Sequence, residues 1–378
     1  MPASDVLAGL PLVDHHCHGV LLTELDRAGV ERGLTESDAP APPGTTMFDT
    51  PVGLAVRRWC APVLGLEPHA DADAYLAVRA RLGTAESTRR LLRAALLSDV
   101  LVDTGLRGPD LSSPAELAEA AGARGHVVVR LESVAEDVAR AGTTAASFAD
   151  DFGERLRRAS AGAVAVKSIA AYRCGLDLPG HRPHDSEVRR AAAAWLVEGE
   201  QEGRWRLRDA RVVRHCVWAG LDLGLPLQIH TGFGDRDVRL HRSDPALLAD
   251  FLAAVEPAGV PVVLLHCHPY HRQAAWLAQV FPHVHADVGL ALNHVGAGAP
   301  GYLAECLELT PFAKLLFSTD AFGLPELFCT GAALFREAFG RVLDSWIAHG
   351  ACSTADAERI GRLVGAANAR RVYRLESR

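Results

Sequence analysis

VDHHCHGV, residues 13–20, ends the first apolar run of the chain and carries Asp14, His15, His16 and His18 where a buried strand would hold Val, Ile or Leu. Side chains on a strand alternate faces, so His16 and His18 point one way while Cys17 points the other. This parity predicts that both histidines reach one metal ion. Asp14 is expected one layer deeper on the same face, with His15 turned away.

Outward from this stretch, short apolar runs alternate with longer segments of helical periodicity. The predicted strands are LPLVDHH (10–16), SDVLVDTG (98–105), HVVVRLE (126–132), AVAVKSIA (163–170), PLQIH (226–230), PVVLLH (261–266), HVHADVGL (283–290) and AKLLFSTD (313–320). Helical patterns fall at 114–123, 134–142, 211–224, 245–255, 270–281 and 325–350, with further turns in 354–377. Eight such alternations predict an α/β fold, a (β/α)8 TIM-type barrel; the rival doubly wound sheet lacks a GxGxxG after its first strand. One domain spans 1–378. Residues 19–97 form a large helical insertion after strand 1, with a Pro-rich loop (37–51), helices near 52–60 and 71–97, and a role as a lid over the barrel mouth.

The predicted strands end in polar groups. Lys167 is in phase with Ala163 and Ala165, Asp320 is in phase with Leu316 and Ser318, and His230 and His266 close strands five and six. Singly, each has an ordinary structural reading: a hydrogen-bonded histidine, a helix-capping aspartate, a surface lysine. Together they gather at the C-terminal face of a barrel, where such folds place their chemistry. Imidazole with carboxylate suits zinc, with manganese, iron or nickel as alternatives. Arg173, on the loop after Lys167, is placed to clamp a substrate carboxylate, and the TGFGD loop beginning at Thr231 suits close approach to substrate. Arg130 faces the interior with either a site role or a buried ion pair. His268 is a candidate supporting residue, and Cys17 and Cys267 read as core.

The 378 residues carry a formal charge of −7 and no basic block, which argues against nucleic acid or an anionic membrane as partner. No apolar run approaches the length of a membrane span, and the first residues show no signal-peptide pattern. Eight scattered cysteines with no CxxC pair predict reduced thiols and a cytoplasmic setting. The expected partner is a small-molecule substrate, and self-association is compatible with such a barrel.

The order Asp-x-His-x-His, Lys, His, His, Asp resembles the amidohydrolase superfamily over essentially the whole chain. KSIAAYRCGL (167–176), PLQIHTGFGD (226–235), VVLLHCHPYHRQAAWLA (262–278) and LLFSTDAFGLPE (315–326) are similar to FluG/nodulin-type amidohydrolase domains, often fused to glutamine-synthetase-like domains. NARRVYRL (368–375) resembles the closing helix of such barrels. The resemblance implies one or two divalent ions per chain. His16, His18 and Asp320 hold the more buried ion, and His230 and His266 supply the strand-five and strand-six ligands. Lys167 stands where binuclear members carry a carboxylated lysine. It further implies Asp320 and His266 as catalytic groups in metal-dependent hydrolysis of a C–N bond, with γ-glutamyl or similar carboxylated amides as substrates. Non-oxidative decarboxylation is the alternative within the superfamily; a metal-binding scaffold without activity is the third reading.

Overall fold

The computed structural model describes residues 2–376 apart from residue 107. Eight parallel strands lie in chain order: β1 (Leu12–Cys17), β2 (Leu97–Asp103), β3 (Arg124–Arg130), β4 (Ala165–Ser168), β5 (Leu227–His230), β6 (Val262–Leu265), β7 (Val284–Asp287) and β8 (Leu315–Leu316). Each is followed by a helix of the outer layer: α1 (Thr84–Ala94), α2 (Pro114–Ala121), α3 (Leu131–Arg140), α4 (Ala210–Leu221), α5 (Ala249–Val255), α6 (His271–Val280), α7 (Ala299–Cys306) and α8 (Pro325–Ala348). Parallel strands need such crossovers, and both of their faces become buried.

The two faces are separate cores. Val13, Leu101, Val128, Ala165, Val263, Leu265 and Leu316 fill the barrel interior, and Ala369, Val372 and Tyr373 of the C-terminal helix plug it from below. Leu12, Val100, Val166, Ile229, Leu264 and Phe317 face outward into the layer shared with the helices. Because β8 is only two residues long, the seam to β1 is made by irregular backbone. His15 N–H donates to the Phe317 carbonyl (3.3 Å), Asp320 N–H to that of His16 (3.0 Å), and His18 N–H to that of Ala321 (2.8 Å).

Strand β1 departs from simple alternation. Asp14 pairs with Val100 but Cys17 pairs with Val102, so β1 advances three residues while β2 advances two. That extra residue is a bulge, and it shifts the parity of everything after it. Val13 and His15 point inward before it; His16 and His18 point inward after it. The expectation that His15 faces away is therefore corrected: its ring stacks on Tyr373, with Nδ1 3.0 Å from the phenol oxygen and Nε2 3.1 Å from Asp287. Asp14 likewise is not a deeper layer of the site. Its carboxylate accepts from the backbone N–H of Thr319 (2.9 Å) and from the Thr319 hydroxyl, joining β1 to the chain after β8.

The segment between β1 and β2 forms helices at Pro51–Ala55, a π-helical turn at Val56–Cys60, and helices at Ala61–Val63 and Ala72–Leu82, ahead of α1. These lie along α8 rather than over the mouth. Arg58 pairs with Glu337 (2.7 Å), while Tyr75 (3.0 Å) and Arg79 (2.7 Å) both donate to the same oxygen of Glu326. Only the earlier part, residues 21–38, contributes to the cavity above the barrel.

Glu326 is fully buried and Arg79 is 5% exposed, so removing the arginine strands a carboxylate away from water. Arg79→Ala is expected to destabilise the fold by about 3–5 kcal/mol, read as a drop in the urea midpoint. Arg79→Met combined with Glu326→Leu is expected to recover most of that loss. An unchanged midpoint in Arg79→Ala would show that the insertion is not anchored through this pair.

Candidate metal centre

Above the interior core, β1, β4, β5, β6 and the end of β8 deliver their polar residues to one point. The Asp320 carboxylate lies 3.1 Å from His16 Nε2 and 3.4 Å from His18 Nε2 through Oδ1, and 3.4 Å from His266 Nδ1 through Oδ2. Candidate ligand atoms of His16, His18 and Asp320 all lie within 4.8 Å of one another, close enough to share one ion. The His266 ring packs on those of His16 (5.5 Å) and His230 (4.6 Å). Among the described residues, His230 Nε2, both ring nitrogens of His266 and Asp320 Oδ1 are buried without a well-formed hydrogen bond. Orphaned buried nitrogens and oxygens facing a common point fit a divalent cation, whose absence would leave them unsatisfied.

Supporting contacts fix the rings. His16 Nδ1 bonds Gln228 Oε1 (2.9 Å), leaving Nε2 for the centre; Gln228 in turn donates to the His15 carbonyl and to Tyr373. His18 Nδ1 lies 3.3 Å from the carbonyl of Asp103. Such partners set tautomer and ring orientation. Two chain ends are bent to serve the site: His266 (φ 70°) and Asp320 (φ 48°) adopt left-handed conformations that redirect their side chains at the strand ends.

Lys167 is buried beside the ligands, with Nζ 2.8 Å from His16 Nε2 and 3.3 Å from Asp103 Oδ2. Asp103 also binds Arg130 at 2.6 Å and 3.1 Å, which settles Arg130 as part of a buried ion pair at the site's edge. Burial works against an ionised Asp103, but Arg130 and Lys167 outweigh it and hold the acid well below the usual range. Burial likewise lowers Lys167, with Asp103 opposing. Asp103 and Gln228 escaped the sequence reading, although strand parity with Leu101 and His230 carries the signal for both.

The centre opens into a cavity of about 590 Å³ lined by His18, Lys167, Tyr172, His230, His266 and Asp320, with Arg32 and Arg173 farther out. Tyr172 covers His230 at 4.5 Å. Gly234 permits this approach, since a Cβ there would come within 2.1 Å of the Tyr172 hydroxyl. Arg173 reaches the cavity but already pairs with Glu136 (3.0 Å). Thr231 does not reach it: the side chain is fully buried and its hydroxyl donates to the Leu265 carbonyl (2.8 Å). His268 stacks on His271 instead of the centre, because the left-handed turn at 266–267 breaks its phase with His266. Cys17 and Cys267 are core, as expected.

A barrel with this constellation at its C-terminal face carries a candidate metal centre, and the comparisons give its family. The Amidohydrolase family model matches residues 13–375, and the chain belongs to that family. Protein fluG of Emericella nidulans is 32% identical over 223 residues, covering 56% of this chain but 26% of that protein's own length. A crystal structure of a provisionally assigned metal-dependent hydrolase from Lactobacillus casei superposes with a TM-score of 0.87 at 27% identity, over 100% of this chain and 99% of that one. Glucuronate isomerase from Caulobacter crescentus shares the fold, with a TM-score of 0.67 at 17% identity over 100% and 94% of the two chains. No described helix is long and apolar enough to cross a membrane.

Burial, then the Lys167 charge, lowers His16 to about 4, and burial drives His230 and His266 well below the ordinary histidine range. These imidazoles are neutral at neutral pH, the form that binds metal. Between their folded values and the unfolded value of about 6.5, the unfolded chain binds more protons, so stability falls as pH falls. Asp14, raised to about 7 by burial against its bonds to Thr319, acts with the opposite sign, as do the raised Glu132 and Asp235, but the lowered His215, His268, His283 and His285 add to the histidine side. The melting temperature of chelator-treated protein is therefore expected to fall from pH 6.5 to pH 4. A flat or rising profile would contradict a neutral buried cluster.

Proposed function

We propose that this chain hydrolyses a C–N bond of a small carboxylated amide, with one or two divalent ions held by His16, His18, Lys167, His230, His266 and Asp320. The observation carrying this reading is the convergence of the Asp320 carboxylate with the imidazoles of His16, His18 and His266, beside buried ring nitrogens of His266 and His230 that have no hydrogen-bond partner among the described residues. A divalent transition ion in such a nest supplies Lewis acidity, polarising a carbonyl and bringing a water's pKa toward ~7. Zinc suits the donor set, with manganese, iron and nickel as alternatives.

The chain's own residues then divide the proton work. Burial alone would raise Asp320, but the ring nitrogens of His266, His16 and His18 around it hold it well below the carboxylate range. Such a carboxylate accepts a proton from an acidified water at Oδ and returns it to the departing nitrogen. His266, neutral and adjacent to Oδ2, is positioned to assist at the carbonyl oxygen. Tyr172 closes one wall of the site against solvent. Arg173 with its neighbours supplies positive charge toward a substrate carboxylate. Residues 21–38 form the part of the 19–97 insertion that acts as a lid.

Decarboxylation is the second reading, and one contact favours it. Lys167 has a carboxylate partner in Asp103, an arrangement suited to a free ammonium beside a single ion. Metal content separates the readings: two ions per chain with a carboxylated lysine favour hydrolysis, and one ion leaves both open. Ammonia or amine release against CO2 release from a panel of carboxylated amides and aromatic acids then decides.

Asp320→Asn retains the side chain's size and a weak ligand oxygen but cannot take up a proton. It is expected to fold, to keep at least one ion, and to lose about 10²-fold or more in kcat with a smaller change in KM. Near wild-type kcat on the true substrate would overturn Asp320 as the proton carrier. His16→Ala with His18→Ala is expected to remove the more buried ion, measured as metal per chain.

A further inference from the structure

Next to the main cavity lies a second hollow of about 380 Å³. Its charged lining is six arginines, Arg173, Arg204, Arg206, Arg208, Arg239 and Arg242, against one aspartate, Asp237. The two spaces share Tyr172, Arg173, Arg206 and Asp237 as walls. Since Tyr172 also packs on His230, a single side chain separates the hollow from the imidazole cluster.

Three segments distant in sequence build this lining. Arg173 ends the short helix after β4, the run RWRLR (204–208) links the helix Asp185–Glu202 to α4, and Arg239 and Arg242 come from the chain after β5. In the linking run the apolar residues are the anchors. Leu207 is fully buried, and Trp205 occupies the space beside Gly199, where a Cβ would come within 2.3 Å of its ring. The alternating arginines are left to the hollow. Gly175 (φ +88°) makes room on another side, since a Cβ there would come within 2.9 Å of Arg242 Nε.

The positive charge is not balanced by the protein. Arg206 pairs with Asp237 (3.0 Å) and Arg173 with Glu136 (3.0 Å), while Arg208 reaches Glu198 only at 3.9 Å. Among the described residues, Arg204, Arg239 and Arg242 have no carboxylate within 4.0 Å; Arg242 donates instead to the Cys174 carbonyl. Arg173 is the sharpest sign. Its side chain is 9% exposed, and its buried Nε–H has no hydrogen-bond partner among the described residues. A solvated basic face would account for exposed arginines, but not for a recessed guanidinium with an unused donor in a chain of net charge −7.

We propose that this hollow seats a multiply charged oxyanion of the substrate, a phosphate monoester or clustered carboxylates, at the end remote from the bond handled at the metal centre. Guanidinium forks bind such oxygens in bidentate fashion, and several forks around one recess favour a dianion over a single carboxylate. The assignment of the anion to a substrate rests on the hydrolase reading above; the anion seat itself does not.

The test is calorimetric titration of metal-loaded protein with inorganic phosphate and, separately, with the tricarboxylate tricarballylate, in wild type and in Arg204→Ala/Arg239→Ala. Both arginines are exposed and unpaired, so the variant is expected to fold with unchanged metal content. Saturable binding of at least one probe, weakened at least 10-fold in the variant and weakened by added salt, is the expected result. Phosphate binding alone assigns a phosphate ester, and tricarballylate binding alone assigns clustered carboxylates. Absence of saturable binding for both probes, or equal binding in the variant, overturns the seat. A protein that binds the probe through these arginines but cleaves no amide would overturn the hydrolase reading and leave the seat standing.

Discussion

The structure depends on one extra residue in its first strand. Without the bulge between Asp14 and Cys17, β1 could aim either Val13 and His15 or His16 and His18 into the barrel, but not both pairs. With it, the same strand supplies the imidazoles of the candidate metal centre above and the His15–Asp287–Tyr373 contacts below. Gln228 ties the two levels together, touching His16, the His15 carbonyl and Tyr373. The floor of the site and its ligands are thus parts of one hydrogen-bonded unit, which restrains the His16 ring from both directions.

The charges of the unit are matched before any ion is considered. With the imidazoles neutral and Lys167 as an unmodified ammonium, Arg130 and Lys167 are offset by Asp103 and Asp320, all four in or at the edge of the buried cluster. A buried charge without such a partner costs several kcal/mol, so loss of any one of them disturbs the other three. A divalent cation added to this set makes the centre positive, which disfavours protonation of the surrounding rings.

Much of this was legible in the sequence where a local rule suffices. Alternation along a strand located His16, His18, Lys167 and His230, and spacing of apolar runs located all eight strands. What escaped has a common physical cause, a partner far away in the chain. The bulge is decided by pairing with β2, eighty residues on. Thr231 loses its hydroxyl to a carbonyl of β6, and Arg173 is held by Glu136 from α3. The redirected backbones of His266 and Asp320 carry no mark in their own residue types. Asp103 is different: its parity with Leu101 is readable in the sequence.

The plug beneath the barrel has a consequence for how the protein is made. His15 meets Tyr373 across 358 residues of chain, so the first strand leaves the ribosome long before its floor exists. At ordinary rates of synthesis of ~5–20 residues per second, that interval is roughly 20–70 s. For most of it, until residues 317–321 are made, β1 is an unpaired edge on one side, of the kind that invites association with other chains. The run of Asp14, His15 and His16 is poorly suited to such sticking, being polar where an aggregation-prone strand would be apolar. The polar side chains that meet their partners in the finished barrel thus also make the waiting strand less apolar.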